Sequence, residues 1–152
     1  MKKQTRPWEI LLVEDNPADA RLTREALGEL NVRHRLQLAE DGFAALKYLT
    51  SAISDGPAIR PDLILLDLNL PLMNGLEVLS IVKSSDHLKS IPVIVMSSSA
   101  AADDVSAAYR LNANGYTQKP LDMEEFICAM GDICRFWLGT ALLPEGPTGK
   151  PH

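Results

Sequence analysis

A chain of 152 residues, 46% hydrophobic and 23% charged, is long enough for one domain with a sizeable core and cramped for two. Its formal net charge of −5, with no Lys/Arg cluster beyond the opening "MKK", excludes the basic footprint of a nucleic-acid binder. The first apolar run, Ile10 to Val13, stops at Glu14, too short for a signal peptide or a membrane span, so a cytoplasmic protein with no membrane partner is expected.

In chain order, residues 1–8 read as an N-terminal extension, 9–140 as the domain and 141–152 as a tail. The domain opens with a strand at Ile10–Val13 and a helix over Pro17–Leu30. Arg35–Ala39 alternates polar and apolar residues and reads as an edge strand, followed by a helix at Gly42–Ser51 and the long connection "SDGPAIRP". Leu63–Leu66 and Val93–Met96 are apolar on both faces, as is the first strand, which marks central strands of a parallel sheet covered by helices on both sides. Between and after them the helical period returns at Leu76–Ser84, Asp104–Leu111 and Asp122 to about Leu138, with a short strand at Tyr116–Thr117. The pattern is a βα unit repeated five times, a doubly wound α/β fold of the flavodoxin-like type. Right-handed crossovers then favour the strand order 2-1-3-4-5. Cys128 and Cys134 fall six positions apart in the last helix, about 9 Å between α-carbons, beyond disulfide reach, so free thiols are expected.

In such a sheet the ligand crevice lies at the carboxyl ends of the strands flanking the switch point. There the sequence places "EDN" (Glu14, Asp15, Asn16), "DLN" (Asp67, Leu68, Asn69), "SSS" (Ser97 to Ser99) and "QKP" (Gln118, Lys119, Pro120). Singly, each has a bland reading: an Asp after a strand caps a helix, and a serine run is a loop. Together they bring three carboxylates into one crevice, where their repulsion needs a cation. Mg2+ suits this oxygen-only set, whereas zinc would want His or Cys. Lys119 adds a positive charge and Ser97 a hydroxyl, both able to meet phosphoryl oxygens on or near Asp67.

The blocks "ILLVEDNPAD", "PDLILLDLNLPLMNG", "IPVIVMSSS" and "NGYTQKP" resemble the signature blocks of bacterial response-regulator receiver domains, from about Ile10 to Leu138. The resemblance implies a phosphoacceptor of a two-component phosphorelay rather than an enzyme, with Asp67 taking a phosphoryl group from the phosphohistidine of a sensor histidine kinase. It also implies that Asp15 and Asp67 bind Mg2+ through their side chains, Asn69 through its backbone carbonyl, and Glu14 through water or by holding other ligands. By the same likeness Ser97 is the switch hydroxyl, Lys119 the conserved-type lysine and Tyr116 the switch aromatic, and the Lys119–Pro120 bond is cis. "RPWEILLVEDNPAD", "SDGPAIRP" and "FWLGTALLP" are further similar to single-domain regulators that accompany bacterial phytochrome kinases, which points to such a kinase as partner, although other sensor kinases fit the same residues.

After the receiver-like region the remaining "GTALLPEGPTGKPH" is too short for an effector domain, so output through surface contacts is expected. In the last helix Met123, Phe126, Ile127, Met130, Ile133, Cys134 and Trp137 form the core stripe. Phe136 lies about 120° away from it, and Leu138, Leu142 and Leu143 continue the apolar surplus. A homodimer through this end is expected, with folding back of the tail as the alternative. Two rival functions share the fold logic. An aspartate-nucleophile Mg2+ phosphatase would want a second acid where Asn69 stands. An FMN module would want a Gly/Ser/Thr-rich phosphate loop where "VEDNPAD" stands.

Overall fold

The computed structural model describes residues 6–144; expectations for residues 1–5 and 145–152 lie outside the described residues. Five strands, β1 (Trp8–Val13), β2 (His34–Ala39), β3 (Leu63–Asp67), β4 (Val93–Ser97) and β5 (Gly115–Gln118), alternate with α1 (Pro17–Gly28), α2 (Gly42–Ile53), α3 (Gly75–Ser84), α4 (Ala102–Arg110) and α5 (Met123–Arg135). The strands pair in parallel in the order β2-β1-β3-β4-β5. The expected architecture and strand order are therefore those the chain adopts.

All five residues of β3 and all five of β4 are buried, each apolar side chain contributing about 1.5–3 kcal/mol. Alternation divides them between two layers. Leu11, Val13, Ile64, Leu66, Val93 and Val95 face the layer of α2, α3 and α4, while Ile10, Leu12, Leu63, Leu65, Ile94 and Met96 face α1 and α5. β2 shows the half-exposed alternation of an edge. The β1–β3 register sets Val13 beside Leu66, so the next residues, Glu14 and Asp67, emerge at adjacent strand ends.

Helix starts are fixed by side chains that satisfy the free N–H groups of the first turn. Asn16 accepts from Ala18 and Asp19 with Pro17 opening the helix, and Asp41, Asn74 and Asp122 cap α2, α3 and α5. α4 lacks such a cap, and of the five α-helices it buries the fewest residues, Ala108 alone. At the opposite end of the sheet the buried Asp62 accepts two bonds from Arg6, at 2.8 and 2.7 Å, and one from the Glu9 amide at 2.8 Å. β1 begins at Trp8, and these bonds hold Arg6 beside it.

The last helix departs from the expected course. α5 ends at Arg135 and continues as a π-helical turn, Phe136–Thr140. Leu138, expected in the exposed surplus, is buried instead: four positions beyond the buried Cys134, it returns to the core side. Met123, expected in the core stripe, opens the helix and is exposed. Phe136 and Leu142 are exposed as expected, while Trp137 and Leu143 pack partly against the α1–α5 layer. Both cysteines are free, Cys128 exposed and Cys134 buried.

Candidate functional site

The acids the sequence singled out do converge. Glu14, Asp15 and Asp67 each offer a carboxylate oxygen to a cluster whose atoms lie within 4.8 Å of one another. Glu14 and Asp67 are buried and Asp15 is exposed, so the cluster sits at the sheet's rim with an open side. Hard oxygen donors without His or Cys fit a hard divalent cation.

Lys119 supplies the positive charge already present. Its Nζ donates to Glu14 Oε1 at 2.6 Å, Asp19 Oδ2 at 2.9 Å and Asp67 Oδ2 at 3.1 Å, using all three ammonium hydrogens. Its backbone amide donates to the Ser97 carbonyl at 2.7 Å, which fixes the chain at the rim of β4. Burial disfavours the Lys119 charge, yet the bonds to Glu14 and Asp19 outweigh it and raise the ammonium above the ordinary lysine value. Burial, helped by Asp67, pushes the Glu14 carboxyl up to about 7 against the pull of Lys119. No peptide bond among the described residues is cis, so the cis Lys119–Pro120 bond that the family likeness implied is not found. Lys119 reaches the acids from a trans linkage.

Asp67 is held from below and from the side. It closes the fully buried β3 and pairs with Met96 of β4, and its Oδ1 accepts from the Asn69 amide at 3.1 Å. Gly75 packs against it so closely that a β-carbon there would lie 2.3 Å from the Asp67 carbonyl oxygen and 2.6 Å from the Leu68 α-carbon. The Gly75 amide donates to the Leu68 carbonyl at 2.9 Å. The loop between β3 and α3 is thus cinched at its base, and Leu72 at its tip takes φ 68° and is exposed.

Ser97, the last residue of β4, is buried, and its Oγ accepts from the Ser99 amide at 3.1 Å. Ser99 is a junction that the sequence reading treated as plain loop. Its Oγ donates to Asp104 Oδ2 at 2.6 Å and accepts from the Ala101 amide at 3.1 Å, while its carbonyl accepts from Tyr116 Oη at 2.9 Å. Tyr116 is half-buried and therefore tied to the loop that carries Ser97. An open cleft of about 420 Å³ between β2 and α2, lined by Lys47 and Tyr48 among others, includes none of these residues.

Asp19 is the site residue the sequence reading missed. An acid in the first turn of a helix is ordinarily explained by the helix dipole. Its spacing of four from Asp15, at the start of a capped helix, was the available signal.

The matrix of acids, lysine and buried serine at successive strand ends coincides with family likeness. Residues 10–130 match the response regulator receiver domain family, and the chain belongs to it: a single receiver unit of the phosphoacceptor signalling class. It is 43% identical over 138 residues to response regulator Rcp1 of Synechocystis sp., spanning 91% of this chain and 94% of that protein. Among solved structures it is similar to the phosphorylated cyanobacterial phytochrome response regulator RcpA, with TM-score 0.88 and 44% identity over 92% of this chain and all of that one. The Mn2+-bound form of Rcp1 gives TM-score 0.84 and 42% identity over 91% of this chain and all of that one. Among the described residues no helix is long and apolar enough to cross a membrane.

Proposed function

We propose that Asp67 accepts a phosphoryl group from the phosphohistidine of a sensor histidine kinase, in a Mg2+-dependent step, in the cytoplasm. The observation that carries this is Asp67 at the end of a buried strand, within 3.1 Å of the Lys119 ammonium and beside Glu14 and Asp15. Asp15 and Asp67 would hold Mg2+ through their carboxylates, Asn69 through its carbonyl, and Glu14 by orienting the set. Bound there, the ion would supply charge neutralisation for the transferring phosphoryl group.

Phosphoryl transfer asks a protein mainly for positioning and electrostatic stabilisation. A carboxylate oxygen of Asp67 forms the O–P bond while the P–N bond to the donor imidazole breaks, the imidazole leaving with the electron pair. Lys119 donates to the phosphoryl oxygens. Ser97 turns its hydroxyl toward them, which releases the Ser99 amide, and Ser99 and Tyr116 pass the change to α4, the helix with the least buried anchorage. The likeness to RcpA, a cyanobacterial phytochrome response regulator, and to the bacteriophytochrome response regulator AtBRR, 42% identical, supports a phytochrome-type kinase as the donor.

Intact mass after incubation with acetyl phosphate and Mg2+ tests the central step. The wild type gains one phosphoryl group and Asp67→Asn gains none; equal labelling of both would refute the assignment. Self-association is proposed through the exposed Phe136 and Leu142, Leu138 being committed to the core. Phe136→Glu then sediments as a lighter species than the wild type, and an unchanged sedimentation coefficient removes Phe136 from any interface.

A further inference from the structure

Lys119 is fully committed before any phosphoryl group arrives. Its three hydrogens go to Glu14 on the end of β1, Asp19 in the first turn of α1 and Asp67 on the end of β3. The proposed function requires Lys119 to donate to a phosphoryl oxygen, so one of these bonds must be surrendered. The three are not equally easy to give up. The Glu14 bond is the shortest, 2.6 Å, and its side chain is 0% exposed, so releasing it would strand a charge away from water. The Asp67 bond leads to the reacting group itself. Asp19 has a side chain 23% exposed against 6% for Asp67, and a released carboxylate there is taken up by water. Asp19 is also absent from the trio of acids whose oxygens cluster within 4.8 Å, so its ammonium contact is its distinctive tie to the site.

Resting on the reading of Asp67 as phosphoacceptor, we propose that Asp19 is a positioning residue that competes with the phosphoryl group for Lys119 and so sets how tightly the phosphorylated state is held. The resting protein parks one lysine hydrogen on α1. Phosphorylation moves it to the new phosphoryl oxygens and frees α1's first turn from the site. Asp19 touches no reacting atom and acts only through Lys119. In the step itself the Asp67 oxygen bonds to phosphorus as the donor's bond to phosphorus breaks, and the donor group departs with the electron pair; no proton passes through Asp19.

The test compares the full chain as wild type, Asp19→Asn and Asp19→Glu, with Asp67→Asn as control. Beryllium trifluoride binding is followed by 19F NMR at fixed Mg2+, alongside labelling by acetyl phosphate read by intact mass. Asp19→Asn, with no carboxylate to offer, binds the phosphoryl mimic about fivefold more tightly, the size of one partly exposed charge pair. Its aspartyl-phosphate also decays more slowly once the donor is removed. Mg2+ affinity without the mimic changes less than the mimic affinity, which a general loosening of the fold would not produce, and Asp19→Glu returns toward wild-type behaviour. If Asp19→Asn fails to fold, Asp19→Ser is measured in its place. Unchanged or weakened mimic binding in the charge-free variant, with wild type labelled normally, overturns the competition. Absence of labelling in wild type itself overturns the phosphoacceptor reading and this inference with it.

Discussion

Replacing Gly75 by alanine probes the idea that Asp67 works because its backbone cannot move. The added β-carbon would lie 2.3 Å from the Asp67 carbonyl oxygen, 2.6 Å from the Leu68 α-carbon and 3.1 Å from the Asp67 carbonyl carbon. All three are backbone atoms. Relief needs a retreat of about 1 Å, and forced expansion at a packed site costs about 1–3 kcal/mol, the upper part of that range being expected where no flexible side chain can yield. At about 2–4 °C per kcal/mol for a chain of this size, Tm falls by about 4–12 °C. A displacement of about 1 Å at a reacting group can cost about a hundredfold in rate, so acetyl phosphate labelling should slow far more than the lost stability explains. Gly28→Ala is the matched control, because nothing lies within 4 Å of the β-carbon it adds, and in a helix it should be neutral or stabilising by up to about 1 kcal/mol. Differential scanning fluorimetry gives the first quantity and an intact-mass time course the second. A Gly75→Ala protein with wild-type Tm and wild-type labelling would show that the loop base gives way freely, and the argument from rigidity would be lost.

Lys119→Met leaves the buried Glu14 and Asp67 without their ammonium, which should cost about 3–5 kcal/mol in urea unfolding without divalent ions, with added Mg2+ recovering part of it; no loss would mean that the acids are not relying on Lys119. Because the Glu14 carboxyl is raised from 4.5 to about 7, the folded state keeps a proton there that the unfolded chain loses above about pH 4.5. That stabilisation is full below the ordinary value and is lost as pH rises through 7. Tm in EDTA should therefore decline from about pH 5 to pH 7.5 in the wild type and less in Glu14→Gln, and equal slopes would refute the assignment. Ser99→Ala cuts the bond to Asp104 at the otherwise uncapped start of α4. Amide exchange in 102–110 should speed up by the loss of about 1 kcal/mol, the net worth of one hydrogen bond, with phosphoryl acceptance by Asp67 unchanged.

Where the sequence was informative, it was so because one physical rule dominated. Strands buried on both faces have to be apolar throughout, so β1, β3 and β4 were legible, and the alternation of Arg35–Ala39 marked β2 as the edge. The strand-end acids were legible because topology alone carries Glu14, Asp15 and Asp67 to one rim. Asp19 was not, since its contact with Lys119 depends on where the first turn of α1 points. Only the cap at Asn16 and the packing of the helix determine that. Leu138 was misplaced for a related reason: an apolar surplus read as a continuous run takes no account of which side each residue returns to. The π-helical turn after Arg135 is a local change of hydrogen-bond pattern that no periodicity announces. Gly75 shows a third kind of silence, since the letter is compatible with any turn, while its necessity comes from backbone atoms of Asp67 and Leu68, eight and seven residues earlier, at and just past the end of β3.

The same features explain why this fold can carry a change from a rigid site to a pliable surface. Asp67 and Ser97 both end strands that are buried throughout, so neither backbone has room to move, and the phosphoryl group proposed at Asp67 would have to be answered by side chains. Those available are Lys119, whose bonds are shared among three acids, and Ser97, whose hydroxyl accepts from the Ser99 amide. Ser99 binds Tyr116 through its carbonyl and Asp104 through its hydroxyl, so displacing it disturbs β5's aromatic ring and the start of α4 together. α4 buries Ala108 alone, and an element with so little buried surface yields at low cost. On the proposed assignment of Asp67, rigidity at the strand ends and weak anchorage one loop away would be two halves of one device: the first would force the response outward and the second would let it appear at the surface.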